Sequence, residues 1–111
     1  MNEDYKEYAD SELAKLLKSS DEAAYTELYD RYWRRLYLFA SRMLQDEEQG
    51  MDIVQDLFTA LWHNRKEFDI TTSLKTYLYT SVRNLTLNYI NKSKQKDKYL
   101  QSMPGAPWGY S

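Results

Sequence analysis

DIVQDLFTALWHNRKEFDITTSLKTYLYTSVRNLTLNYINK, residues 52–92, decides the fold. Ile53, Val54, Leu57, Phe58, Leu61 and Trp62 recur at three- and four-residue spacing, the signature of one buried helix face, and the pattern stops around Arg65. Glu67 to Thr72 has no helical period and reads as a short loop rich in β-branched residues. Thr72 or Ser73 then caps a further helix, whose stripe of Leu74, Tyr77, Leu78, Ser81, Val82, Leu85 and Tyr89 runs to about Asn91.

The same period extends upstream. Residues 10–18, DSELAKLLK, predict a short helix with Asp10 or Ser11 as N-cap and Leu13, Leu16 and Leu17 on one face. Ser19-Ser20-Asp21 is a break and then a new cap. From Glu22 to about Leu44, apolar positions at Tyr25, Leu28, Tyr29, Tyr32, Leu36, Phe39, Ala40 and Met43 predict a long amphipathic helix. Asp46 is the expected N-cap of the next one, and Gly50 is a weak point near its start, about 1 kcal/mol worse than alanine. No segment alternates as a strand would. The expected fold is all-α: a compact helical domain of one short and three long helices over residues 1–98. The stretch 99–111, which holds both prolines and two of the three glycines, is expected to be a disordered tail.

Composition narrows the function. A chain of 111 residues is one domain. With no cysteine there is no disulfide framework, thiol nucleophile or thiolate metal site, and the single histidine, His63, excludes two-histidine relays. No apolar run approaches the roughly 18 residues of a membrane span, so no membrane insertion and a cytoplasmic location are expected. The nucleotide-binding, metalloprotease and hydrolase signatures are absent, and Asp52 and Asp56, one helical turn apart, lack the further acidic partners a metal or acid–base site needs. The chain is expected to be no enzyme, with no metal and no cofactor.

Charge is unevenly spread. Residues 1–62 carry 7 Lys/Arg against 14 Asp/Glu, whereas residues 63–111 carry 8 against 3. An acidic face for a protein partner and a basic one for nucleic acid would produce this split; ordinary solvated helix faces would as well. Asp52, Gln55, Asp56 and Thr59 lie opposite the apolar stripe of their helix and suit a basic partner helix. On the last helix, Tyr77, Thr80, Asn84, Leu87, Asn88 and Asn91 follow one flank, with Lys75, Tyr79 and Arg83 facing outward. Rings, amides and cations beside a polar loop are the parts of a single-strand platform, and equally those of a small helical core with a solvated edge.

The order of segments carries a resemblance. DIVQDLFTALW (52–62), the loop EFDITTS, and LKTYLYTSVRNLTLNYINK (74–92), with DEAAYTELYDRYWRRLYLFASRML upstream, closely resemble the second conserved region of bacterial RNA polymerase sigma factors, extracytoplasmic-function (ECF) type. The resemblance covers about residues 10–98. It implies a transcription initiation factor domain with two jobs. One is binding core RNA polymerase through the clamp helices of its largest subunit, carried over onto Asp52, Gln55 and Asp56. The other is recognising and melting the promoter −10 element by capturing a flipped base of the non-template strand. That job maps onto the loop Phe68, Asp69, Ile70, Thr71, Thr72 and Ser73 and onto Asn84, with Lys75, Tyr77, Arg83 and Asn88 as further strand contacts. Lys92 and Lys94, with Lys96 and Lys98, would meet the duplex backbone. An anti-sigma factor is a third implied partner. Complete members carry a second helix-turn-helix domain that this sequence lacks, so the chain is expected to be a fragment or a truncated gene. The competing readings are a helical module that binds polymerase without reading DNA and, far behind, a small helical enzyme.

Overall fold

The computed structural model describes residues 4–68 and 73–102, with side chains as far as Lys94. Among the described residues, four helices form the domain: α1 (Asp10–Lys18), α2 (Glu22–Leu44), α3 (Glu47–His63) and α4 (Leu74–Ser102). Short 3-10 turns at Tyr5–Glu7 and Arg65–Glu67 precede α1 and follow α3. Among the described residues there is no strand. The all-α expectation and the first two helix spans match the structure.

Local chemistry sets the helix ends. Asp21 accepts from the Ala24 amide at 3.1 Å, Asp46 from Gln49 at 3.1 Å, and Ser73 Oγ from Thr76 at 3.1 Å, so each N-cap relieves an orphan N–H. Ser20 (φ 66°) and Gln45 (φ 53°) take the left-handed conformation that ends α1 and α2. The start of α1 departs from expectation. Its cap is Ala9, whose amide donates to Glu12 Oε1 at 2.9 Å, and Asp10 lies inside the helix. The Asp10 carboxylate is engaged by residues of α2: Arg31 pairs with it at 2.9 Å and the Tyr32 hydroxyl donates to it.

Arg31 fastens the N-terminal turn to α2. Its guanidinium donates to the carbonyls of Tyr8 (3.0 Å), Tyr5 (3.3 Å) and Lys6 (3.3 Å), and pairs with Glu27 at 3.1 Å. Burial opposes its charge, but the hydrogen bonds to Asp10 and then Glu27 outweigh burial and hold it more firmly protonated than usual. Tyr32, 3% exposed, has its hydroxyl pushed up to about 12, first by burial and then by the Asp10 carboxylate. That contribution is complete below the ordinary tyrosine value and is lost as pH rises through about 12. Arg31→Met keeps the apolar stem and removes the fork. It is expected to cost about 1–2 kcal/mol in urea unfolding, discounted for partial exposure, and to speed amide exchange at Tyr8 at least tenfold. Unchanged exchange at Tyr8 would show that the turn holds without Arg31.

The core lies between the four helices, with Leu13 and Leu17 of α1 and Leu28, Leu36, Val54, Phe58, Leu78 and Val82 of the long helices essentially inaccessible. Burying side chains of this size stabilises the fold by about 1.5–3 kcal/mol each before entropy is counted. Two contacts show how closely α2 and α3 approach. Tyr25 donates to the Phe58 carbonyl at 2.8 Å, and Gly50 is buried against Ser41. A Cβ on Gly50 would lie 2.9 Å from both the backbone N and Cα of Ser41 and nearer still to its Oγ. Gly50 therefore marks a close approach of α2 and α3, and is not the weak spot its propensity suggests.

The face α4 turns to the bundle is narrower than expected. Leu74, Leu78, Val82 and Thr86 are buried, whereas Tyr77 and Tyr89, expected on the apolar stripe, are each 36% exposed. Tyr79, expected to face outward, packs edge-on against Phe39 at 5.3 Å. The helix continues through Ser102, beyond Asn91 where the apolar period ends; residues 103–111 lie outside the described set.

Candidate nucleic-acid interface

α3, the turn after it and α4 line a groove of about 490 Å³. Its floor is apolar, from Leu57 and Leu61 of α3 and Leu85 of α4. The 3-10 turn after α3 brings Phe68 to one end, where its ring meets Tyr77 edge-on at 5.1 Å and 73°. Phe68 is 8% exposed, whereas Tyr77 stands at the rim. Asn84 and Asn88 line the α4 wall, one turn apart. The structure thus brings Phe68, Tyr77, Asn84 and Asn88, expected from sequence to contact a strand, into one concave site. Ser73 stands at the start of α4, and its hydroxyl meets that of Thr76 at 2.8 Å. Asp69, Ile70, Thr71 and Thr72, also expected to form the pocket, lie outside the described residues.

Three other expected strand contacts are exposed and outside the lining: Lys75 and Arg83 on α4, and Lys92 further along it. Lys94 is exposed as well. Among the described residues the groove lining contains no lysine or arginine, and its charged members are Asp56 and Glu67. Neither carboxylate has a hydrogen bond or ion pair among the described residues. A cavity with this lining repels phosphate and accepts a flat, neutral group that offers donors. Asn64, Glu67 and Ser81 are lining residues that the sequence reading did not pick out for the site. Asn64 and Glu67 join the α4 residues only through the packing of α3 against α4, whereas Ser81, four residues after Tyr77 and three before Asn84, shares their helix face and was assigned instead to the apolar stripe.

The second candidate face is on the other flank of α3. Asp52, Gln55 and Asp56 are all exposed. Gln55 Nε2 donates to the Tyr29 hydroxyl at 2.7 Å, which holds its amide against α2. Tyr29 heads a row of half-buried rings along α2, with Trp33 6.5 Å from Tyr29 and Tyr37 6.2 Å from Trp33. Asp56 belongs to both sites: it shares the exposed face of Asp52 and Gln55 and also borders the groove. Among the described residues no group of three or more potential metal ligands gathers, and no helix is long and apolar enough to cross a membrane.

Residues 28–96 match the family model described as Sigma-70 region 2. Among curated proteins, ECF RNA polymerase sigma factor SigW of Bacillus subtilis (strain 168) is 34% identical over 88 residues, 79% of this chain and 46% of that protein. SigX of the same strain is 28% identical over 67 residues, 60% of this chain and 34% of that protein. SigK of Mycobacterium tuberculosis (strain H37Rv) is 34% identical over 57 residues, 51% of this chain and 30% of that protein. The chain thus spans less than half the length of these relatives. A solved structure superposes with a TM-score of 0.70 and 25% identity, covering 86% of this chain and 97% of the other. It is the NMR structure of an engineered region 2 of sigmaE in complex with GTAAAA.

Proposed function

The chain belongs to the sigma-70 region 2 family, and we propose that it is the part of an ECF-type sigma factor that docks on core RNA polymerase and captures a base flipped from the non-template strand of the promoter −10 element. The role is binding and positioning, not turnover, and it is exercised in the cytoplasm.

The observation that carries this reading is the groove between α3 and α4. A flipped base needs a ring to lie against and a directional partner for its edge. Phe68 and Tyr77 supply the first, and the Asn84 amide supplies a donor and an acceptor from one group. A lining without lysine or arginine among the described residues favours entry of a base and leaves the phosphates outside, where Lys75, Arg83, Lys92 and Lys94 are exposed. Capture offsets the few kcal/mol that unstacking each base step costs, which is how a binding domain helps to melt duplex. Asp52, Gln55 and Asp56 are the proposed contacts to the clamp helices of the largest polymerase subunit, where exposed carboxylates steer a basic partner.

The test is competition binding, by polymerase carrying this chain, across four oligonucleotides that differ only at the flipped position. Asn84→Ala is expected to relax discrimination there by about 1–3 kcal/mol and to leave non-cognate strands unaffected. Lys92→Ala with Lys94→Ala should weaken all four alike. Equal loss on all four with Asn84→Ala would show that Asn84 does not read the base. No discrimination by the unaltered chain would favour a polymerase-binding module without DNA readout.

A further inference from the structure

Arg65 lies outside the groove yet makes three contacts, one to Ser20 and two to Trp62, around the turn leading into it. Its Nε donates to Ser20 Oγ at 2.8 Å, at the left-handed junction between α1 and α2. Its Nη1 donates to the Trp62 carbonyl at 2.8 Å, one of the last carbonyls of α3. Its guanidinium sits over the Trp62 ring, 4.1 Å from the centroid. The next residue, Lys66, is exposed and has no hydrogen bond or ion pair among the described residues. A single 3-10 turn, Arg65–Glu67, separates these contacts from Phe68.

We infer that Arg65 is a positioning residue for base capture: it locks the turn after α3 to the α1–α2 junction and so fixes where Phe68 stands at the end of the groove. The inference rests on the reading of the groove as a base-capture site. A 3-10 turn is weakly held by its own backbone bonds, here Glu67 N–H to the Asn64 carbonyl at 3.0 Å and Phe68 N–H to Arg65 at 3.4 Å. Burial of Phe68 holds one end of the turn and Arg65 holds the other, so loss of Arg65 lets the turn shift and the Phe68–Tyr77 edge contact with it. Arg65 anchors the turn on the side remote from the strand. A planar fork that stacks and donates in two directions is something lysine cannot reproduce.

The experiment has two readouts on the full chain. The first is the NMR signals of the Phe68 and Tyr77 rings, which report their mutual contact, with the methyls of Leu28 and Val82 as a check on the core. The second is the affinity ratio between GTAAAA and its single-base variants, with oligo-dT as the non-specific reference. Arg65→Ala is expected to shift or broaden the Phe68 and Tyr77 signals with the core methyls unchanged. It should reduce the discrimination ratio about fivefold and leave oligo-dT binding within about twofold. Arg65→Lys should fall between the two proteins on both measures. Unchanged ring signals and ratio in Arg65→Ala overturn the inference. If the core methyls of Arg65→Ala collapse, Arg65→Lys decides: its ring signals must move with the core intact, or the inference fails. Ring shifts without any discrimination by the unaltered chain would sink the base-capture reading, and with it the functional half of the inference.

Discussion

Reversing Asp52 and Asp56 to lysine is expected to abolish binding to the isolated clamp coiled coil, a loss of at least about a hundredfold, while helicity by circular dichroism stays intact. Both side chains are exposed, and neither makes an ion pair among the described residues, so folding should lose no more than about 0.5 kcal/mol for each. Binding loses far more, because two attractive charges become two repulsive ones and like-charge juxtaposition costs several kcal/mol. The position of Asp56 at the groove separates the two single variants. Asp52→Lys should weaken polymerase binding alone, whereas Asp56→Lys should also change single-strand binding. Retained clamp binding by the double variant would remove this face from the docking assignment; loss of helicity would make the carboxylates structural.

Gly50→Ala is expected to destabilise the domain by about 1–2 kcal/mol, against the usual effect of that exchange in a helix. Alanine is intrinsically better than glycine by about 1 kcal/mol in a helix interior. Here the added methyl would meet the Ser41 backbone at 2.9 Å, and backbone atoms cannot swing aside as a side chain can. α2 and α3 must separate, which costs about 1–3 kcal/mol and more for a larger residue. The melting temperature should fall by about 4–8 °C for each kcal/mol in a domain of this size, and Gly50→Val should fall further. An unchanged or raised midpoint for Gly50→Ala would show that the two helices do not press together there.

The helix caps and the helix faces were legible in the sequence because they depend on neighbours three or four residues away. Asp21, Asp46 and Ser73 cap where their spacing predicts. What escaped depends on partners distant in the chain. Asp10 looks like an N-cap by itself, but Arg31 and Tyr32, more than 20 residues on, claim its carboxylate and the cap passes to Ala9. Tyr77 fits the apolar stripe of its helix, yet the groove opens beneath it and leaves it at the rim. Thr86 is wholly buried although its type suggests an edge. For the candidate site, Phe68, Tyr77, Asn84 and Asn88 were named from sequence and lie together; Asn64 and Glu67 become neighbours of the α4 residues only when α3 packs on α4, and Ser81, at helical spacing from Tyr77 and Asn84, went to the apolar stripe instead.

The uneven burial of α4 has a mechanical consequence. Leu74 to Thr86 is clamped in the bundle, but from Leu87 to Lys94 no residue is buried, while the helix runs on to Ser102. It is a beam fixed at one end. Lys94 lies twelve residues past Val82, roughly 18 Å at 1.5 Å per residue. A tilt of about 10° in the clamped half therefore carries that ammonium sideways by roughly 3 Å, close to the roughly 3.4 Å rise between successive phosphates of one strand. A change of packing under Leu78 or Val82 that tilts the clamped half by this much would thus move the basic end of the beam by about one base-pair rise without altering a residue there.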